Sequence, residues 1–326
     1  MGIRYIVLIM LGVGAVVSVQ GVAQLYGKSL KPSEQKRLTV TWQHRDVALF
    51  DTMLISWIAS RPQKGAYHIQ VRAHCCGNWS PWIDYAWWGV GEQHMFSFQL
   101  YKDMTRFLQG NKADGFGVRV YAKLGADLSE FRGIQVSTIN SVEHTVLGVQ
   151  EEHASCNLAV AGLSQIALPD ERNTKICSPT STTAVIRYIG DSVTIDPLCF
   201  ADKVRDTRLD IYGAWALNVA QAAHELGAGW KTYVTHLSGV DELIKWLYRG
   251  YPVVVSIQGP IAGGARPYTG GHLLVVKGYN AATRQLLCMD PGFSDDQSTN
   301  VAYAEEDFVG AWRKRNGLAY IMCQVQ

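Results

Sequence analysis

Three side chains of complementary chemistry stand at the ends of elements in the second half of the chain: Cys177, His272 and Asp290. Cys177 opens CSPTSTTAVIRYI, and the spacing predicts a helix over 177–189. Pro179 is tolerated in a first turn, the hydroxyl residues can satisfy free amides, and the apolar residues come later. A thiol at that end feels the free amides and the helix dipole, which lower its pKa and favour thiolate. His272 begins an apolar strand over 272–277, and Asp290 follows another over 286–289. Antiparallel pairing of the two puts imidazole and carboxylate at one end of a hairpin. There His272 would share and return a proton while Asp290 fixes its tautomer, which is the equipment of nucleophilic acyl chemistry. A capped helix, a core thiol and a turn carboxylate would use the same residues, and spacing alone does not choose.

The elements that must position these groups form a mixed pattern after residue 150. Trp215, Val219, Ala222 and Leu226 recur at helical spacing within 212–227, with Gly227 as a stop. A shorter helix runs from Asp241 to Tyr248, and Val253, Val254, Val255 and Ile257 read as a strand. Between about Thr39 and Asn140 the texture differs. Tyr67, Ile69, Val71 and Ala73 alternate, as do Phe116, Val118 and Val120, which predicts an antiparallel sandwich or jelly-roll-like module. Within it Trp79, Trp82, Trp87 and Trp88 fit either a sugar- or peptide-binding platform or ordinary packing, and packing is the commoner use.

Residues 1–23, MGIRYIVLIMLGVGAVVSVQGVA, carry one charge at Arg4, a continuous apolar run and small residues at Gly21 and Ala23. They read as a signal peptide, so the expected location is secreted or periplasmic, with no membrane contact after cleavage. The 326 residues include 48% hydrophobic and 18% charged side chains, which excludes a largely disordered chain and leaves room for two domains. A net charge of +2 gives no footprint for nucleic acid. The seven cysteines, Cys75, Cys76, Cys156, Cys177, Cys199, Cys288 and Cys323, are odd in number, so an exported chain keeps at least one thiol without an internal partner. Cys156 and Cys199 are placed to staple the segments around the Cys177 helix, and Cys288 and Cys323 read as core thiols or disulfide members. No metal comb and no phosphate-loop lysine appear, so neither metal nor cofactor is expected. His224 and His236 read as local hydrogen-bonding residues.

Ordered blocks in the second half resemble the bacteriocin-processing, double-glycine cysteine peptidase family, a branch of the papain-like superfamily. The blocks are Ser164-Gln165, CSPTS from Cys177, YGAWALNVA from Tyr212, GYPVVVSI from Gly250, GGHLLVVKGY from Gly270 and MDPG from Met289. The resemblance covers about residues 160–326. It implies Cys177 as nucleophile, His272 as base, Asp290 as orienter and Gln165 as an oxyanion-hole donor beside the Cys177 amide. Ser178 departs from the glycine that many relatives carry after the nucleophile. FDTMLISWIAS and GNWSPW likewise resemble the β-sandwich module that precedes this domain in secreted bacterial relatives.

The expected architecture is α+β: a signal peptide over 1–23, an antiparallel β-sandwich over 36–148 and a papain-like cysteine peptidase domain over 155–326. The expected activity is hydrolysis of a peptide or protein substrate, cell-wall material among the candidates, through an acyl-enzyme on Cys177. Acyl transfer by the same triad, and a noncatalytic protein binding cell-wall sugar or peptide, are the alternatives.

Overall fold

The computed structural model describes residues 22–96, 108–190 and 194–325. Residues 1–21 of the expected leader lie outside the described residues.

The first half forms two antiparallel sheets. One runs in the order β1 (Gln24–Ser29), β9 (Phe131–Ile139), β3 (Thr52–Ala59). The other runs β2 (Thr39–Phe50), β8 (Ala113–Lys123), β4 (Ala66–Cys75), β6 (Ile83–Gly89), β7 (Gln93–Met95), with β5 (Asn78–Trp79) against β4. Alternation decides what each strand buries. Tyr67, Ile69, Val71 and Ala73 point inward while His68, Gln70 and Arg72 stay half-buried outside, and Phe116, Val118 and Val120 join the same interior. Trp57, Ile134 and Val136 of the smaller sheet pack into that cluster too.

The tryptophans divide by face. Trp88 is fully buried against Trp57, with ring centroids 5.8 Å apart. Trp79 and Trp82 are half-buried on the outer face, where Arg72 lies 4.4 and 4.5 Å from their ring centres and Arg119 lies 4.2 Å from that of Trp82. The chain's own guanidinium groups therefore stack on these indoles.

The second half is built on a seven-stranded antiparallel sheet. Its order is β11 (Trp230–His236), β16 (Leu318–Gln324), β12 (Val253–Gly259), β13 (Tyr268–Asn280), β14 (Gln285–Met289), β15 (Asn300–Ala304), with β10 (Cys156–Asn157) against β13. A short first helix, α1 (Pro32–Gln35), belongs to the first half; the others cover this sheet. On one face α2 (Cys177–Ile189), α3 (Pro197–Val204) and α4 (Trp215–Leu226) enclose Val254, Leu273, Val275 and Met289. On the other, α5 (Val240–Tyr248) and α6 (Glu305–Arg313) enclose Val253, Val255, Leu274, Val276 and Cys288. Burial on both faces is why these strands read as continuous apolar runs rather than alternating ones.

The halves meet through α4. Ala216, Leu217 and Ala220 pack into the core of the first half, whereas Val219 and Ala222 face the sheet of the second. All seven cysteines are free thiols, including Cys156 and Cys199, which are not joined, and Cys288 and Cys323, which are buried. Cys76 and Gly77 take φ of 51° and 80° in the two-residue turn between β4 and β5, and the Cys75 and Cys76 sulfurs lie 3.3 Å apart.

Candidate active site

Cys177 is the first residue of α2 and remains partly exposed. The helix it opens is polar yet deeply set: Ser178, Thr180, Ser181, Thr182 and Thr183 are buried. Ser181 Oγ donates to the Leu273 carbonyl at 3.0 Å, and Ser178 Oγ shares a 2.9 Å hydrogen bond with the Tyr320 hydroxyl. These contacts dock the start of the helix onto β13, beside His272, and onto β16. Ser178 thus uses its hydroxyl at a position that glycine would leave empty.

His272 and Asp290 come together through the β13–β14 hairpin. Val275 pairs with Met289, so continuing the register by one residue sets Asp290 opposite Leu274, diagonal to His272 and on the same face. His272 Nε2 and Asp290 Oδ1 are 2.7 Å apart, and both side chains are buried. Because Nε2 is taken, Nδ1 is the nitrogen left to serve the Cys177 thiol, and the two groups shift each other's protonation.

Two residues that the sequence reading missed complete this set. Asp290 Oδ2 accepts from Tyr268 at 2.7 Å and from Tyr303 at 2.6 Å, and Oδ1 accepts from the Gly292 amide at 2.9 Å. The Tyr268 ring also stacks on the His272 imidazole, with centroids 4.0 Å apart and planes 6° from parallel. Tyr268 had no usable signal, since four residues of regular strand would set it about 13 Å from His272; it meets the ring where the β12–β13 register shifts and Gly271 takes φ of 96°. Tyr303 had none either; it arrives from β15 through tertiary structure alone.

The electrostatics follow from these partners. Burial, the largest influence, pushes the Asp290 carboxyl up, but the His272 charge, its hydrogen bond and the Tyr303 and Gly292 donors bring it down to about 2. Burial lowers His272, and the Asp290 charge and hydrogen bonds to Asp290 and Cys177 more than reverse that, to about 9. Burial raises the Cys177 thiol, and the His272 hydrogen bond and charge, with the Leu273 and Ser178 amides, bring it below its ordinary value. All three directions favour a thiolate beside an imidazolium near neutral pH.

Gln165 is fully buried, and its backbone amide donates to the Pro291 carbonyl at 2.9 Å, next to Asp290. Its side-chain Nε2 donates to the Asn173 carbonyl at 2.7 Å. The amide nitrogen carries a second hydrogen besides the one used there.

The remaining candidates stand elsewhere. His224 Nδ1 accepts from the Arg61 amide at 3.2 Å, and His236 Nδ1 lies 2.8 Å from the Asn316 carbonyl. Asn218 Nδ2 donates to the Tyr212 and Ala214 carbonyls, both at 2.9 Å, so it fastens the start of α4. Among the described residues no cluster of three or more His, Cys, Asp or Glu is placed to hold a metal ion. No helix among them is long and apolar enough to cross a membrane.

Residues 157–320 match the model of the Peptidase_C39 like family. Among solved structures, the chain is similar to a candidate C39-like peptidase from Bacillus anthracis, at 17% identity and a TM-score of 0.41, covering 53% of this chain and 100% of that one. No curated protein matches.

Proposed function

The chain belongs to the Peptidase_C39 like family, and from that premise we propose that it is a cysteine peptidase acting through Cys177, His272 and Asp290. The observation that carries this reading is the 2.7 Å pairing of the His272 imidazole with the buried Asp290 carboxylate, next to a partly exposed Cys177 at a helix start whose thiol the His272 charge helps hold below its ordinary pKa.

The Cys177 thiolate attacks the carbonyl carbon of the scissile peptide bond. Charge gathers on the carbonyl oxygen, where the Cys177 backbone amide and the free hydrogen of Gln165 Nε2 are the donors we assign to stabilise it. His272 passes its proton to the leaving amine as the tetrahedral intermediate collapses to an acyl-enzyme on Cys177. The neutral imidazole then takes a proton from water, hydroxide adds to the thioester carbonyl, and the acid is released with the thiol regenerated. Asp290 stays ionised throughout and holds Nε2, so Nδ1 keeps facing the sulfur. An amine in place of water would make the second step an acyl transfer with the same groups.

We read residues 1–23 as a signal peptide, 36–148 as a β-sandwich domain and 155–326 as a papain-like domain, the whole working outside the cytoplasm on peptide or protein substrates. The leader's composition supports export, and the shared core of the first two sheets supports the sandwich.

Incubating purified protein with a broad peptide library and an electrophilic thiol probe, alongside Cys177→Ala and His272→Ala, tests the activity. We expect cleavage products and a probe adduct on Cys177, both lost in Cys177→Ala, and slow labelling in His272→Ala. Unchanged cleavage by Cys177→Ala would remove the reading, and absence of both products and adduct would favour a binding role. Amino-terminal sequencing of exported protein would find Gln24 first if the leader is cut after Ala23; retention of Met1 would contradict export by cleavage.

A further inference from the structure

The chemical class of the substrate is written in the charges around His272, an inference that rests on the peptidase reading above. Arg315, just beyond α6, is half-buried and donates from Nη2 to the Gly270 carbonyl at 2.9 Å. Its guanidinium lies against Gly271, whose φ is +96°, and a Cβ there would fall 2.0 Å from Nη2 and 3.0 Å from Cζ. Only glycine admits both that backbone and that close approach, and the next residue is His272. Lys314 extends over Gly259, its Nζ 2.7 Å from where a Cβ would stand. Gly259 pairs with Tyr268, whose ring stacks on His272. The exposed Arg266 reaches toward the Thr174 carbonyl at 3.5 Å, three residues before Cys177. Two cations thus rest on the backbone next to His272 and opposite Tyr268, and the third on the segment that leads into Cys177.

Among the described residues no carboxylate pairs with these three cations. Arg172, Arg205 and Arg284 each pair with a carboxylate. Arg266, Lys314 and Arg315 form no such pair among the described residues, and Asp170 and Asp202, the acids nearest Arg172 in its network, are both taken by it. Within the site Asp290 is buried and fully engaged, and the exposed Glu171 and Asp295 of the neighbouring loops form no ion pair with the three cations. Arg315 Nε is buried with no acceptor among the described residues, so the Nη groups of this half-buried guanidinium are the donors a peptide carboxylate would meet. A planar guanidinium recognises a carboxylate edge-on through parallel N–H bonds.

We propose that Arg315, assisted by Arg266 and Lys314, forms an anion subsite that selects peptides carrying a glutamate or aspartate side chain close to the scissile bond. The three charges also draw acidic peptides toward the site before contact, an effect that salt screens.

Binding can be measured apart from turnover, which separates this inference from the peptidase reading. The probe is a dye-labelled hexapeptide library with one position fixed as Glu, compared with the same library fixed as Gln, titrated by fluorescence anisotropy into the full chain carrying Cys177→Ala. We expect the Glu library to bind about tenfold more tightly, the scale of one charge-assisted hydrogen-bonded contact, and the margin to shrink in added salt. Arg315→Gln should remove the margin without changing Gln-library binding. Arg266→Gln, an exposed change that leaves the fold alone, should narrow it. In the enzyme with Cys177 restored, Arg315→Gln should raise KM for Glu peptides with kcat less affected. Equal binding of the two libraries, or a margin that survives both substitutions, would overturn the subsite even if peptides are cleaved. Selective binding without cleavage would uphold the subsite and count against the peptidase reading alone.

Discussion

Asp290 occupies both of its oxygens: Oδ1 faces His272 and the Gly292 amide, and Oδ2 faces two phenols. Tyr303→Phe removes one donor without changing shape, so the carboxylate stays ionised but loses one of the two phenols that fix its orientation toward His272. We expect kcat/KM to fall by roughly tenfold while the alkaline limb does not move to lower pH, read from a pH profile against wild type. For the wild type, activity rises as Cys177 gives up its proton, at a pH below the ordinary thiol range, and falls as pH passes about 9, where His272 loses its own. A profile still rising at pH 10 would exclude the ion pair. Cys177 and Asp290 were legible because each stands at an end of an element that its own neighbours specify; His272, expected to begin a strand over 272–277, lies four residues inside β13, which starts at Tyr268 because Tyr268 pairs with Gly259 beyond the register shift. Tyr303 was not legible, since no local pattern ties β15 to the hairpin.

At the scale of elements, the loop bearing Gln165 is fastened to the loop bearing Asp290. Ser164 N donates to Asp296 Oδ1 at 2.7 Å, Ser164 Oγ to the Phe293 carbonyl at 2.5 Å, and Gln165 N to the Pro291 carbonyl. Gly162 lies where these loops touch, and a Cβ there would fall 1.9 Å from the Asp296 carbonyl oxygen. Gly162→Ala should therefore push the loops apart, costing about 1–3 kcal/mol of stability and lowering kcat further than KM rises. Thermal melts and steady-state kinetics on one preparation check both parts; wild-type values would show that the contact does not matter. The Cys177 helix and the β12–β13–β14 run were readable because their apolar residues recur at a clear period between firm stops. β1 was not anticipated, since Gln24–Ser29 alternates only weakly and gains its place by pairing with β9. The helix Pro197–Val204 went unread as well, although Asp196 accepts from the Leu198 and Cys199 amides as an N-cap.

Over the whole molecule, the two halves share buried structure rather than a tether. Arg61 donates from Nε and Nη2 to Gln221 Oε1, from Nη1 to the Gly89 carbonyl and from Nη2 to the Lys203 carbonyl, and it stacks 4.9 Å from the Trp88 ring centre. Ser56 Oγ accepts from the Val234 amide, and Ser137 Oγ bonds Thr235 Oγ1. Arg61→Ala should cost about 2–4 kcal/mol, and residues 155–326 made alone should lack a cooperative melt because α4 would expose Ala216, Leu217 and Ala220. A sharp melt of that fragment would show the halves to be independent. Stability should also peak near neutral pH. Burial lowers His236 to about 4, so the unfolded chain binds that proton first as pH falls below about 6.5, and stability declines. His272 is raised to about 9, so its contribution is complete below the ordinary imidazole value and is lost as pH climbs to 9. Urea titrations across that range give the curve. A change of texture near residue 150 was visible in the sequence; the shared core was not, because nothing in the period of α4 says what each of its faces meets. The measurement that bears most directly on the central claim is the mass of the protein quenched in acid during turnover of a cleaved peptide. We expect one added acyl fragment, mapped to Cys177 and released by hydroxylamine, and its absence in Cys177→Ala. Turnover with no fragment on Cys177, or with a fragment on another residue, would contradict it.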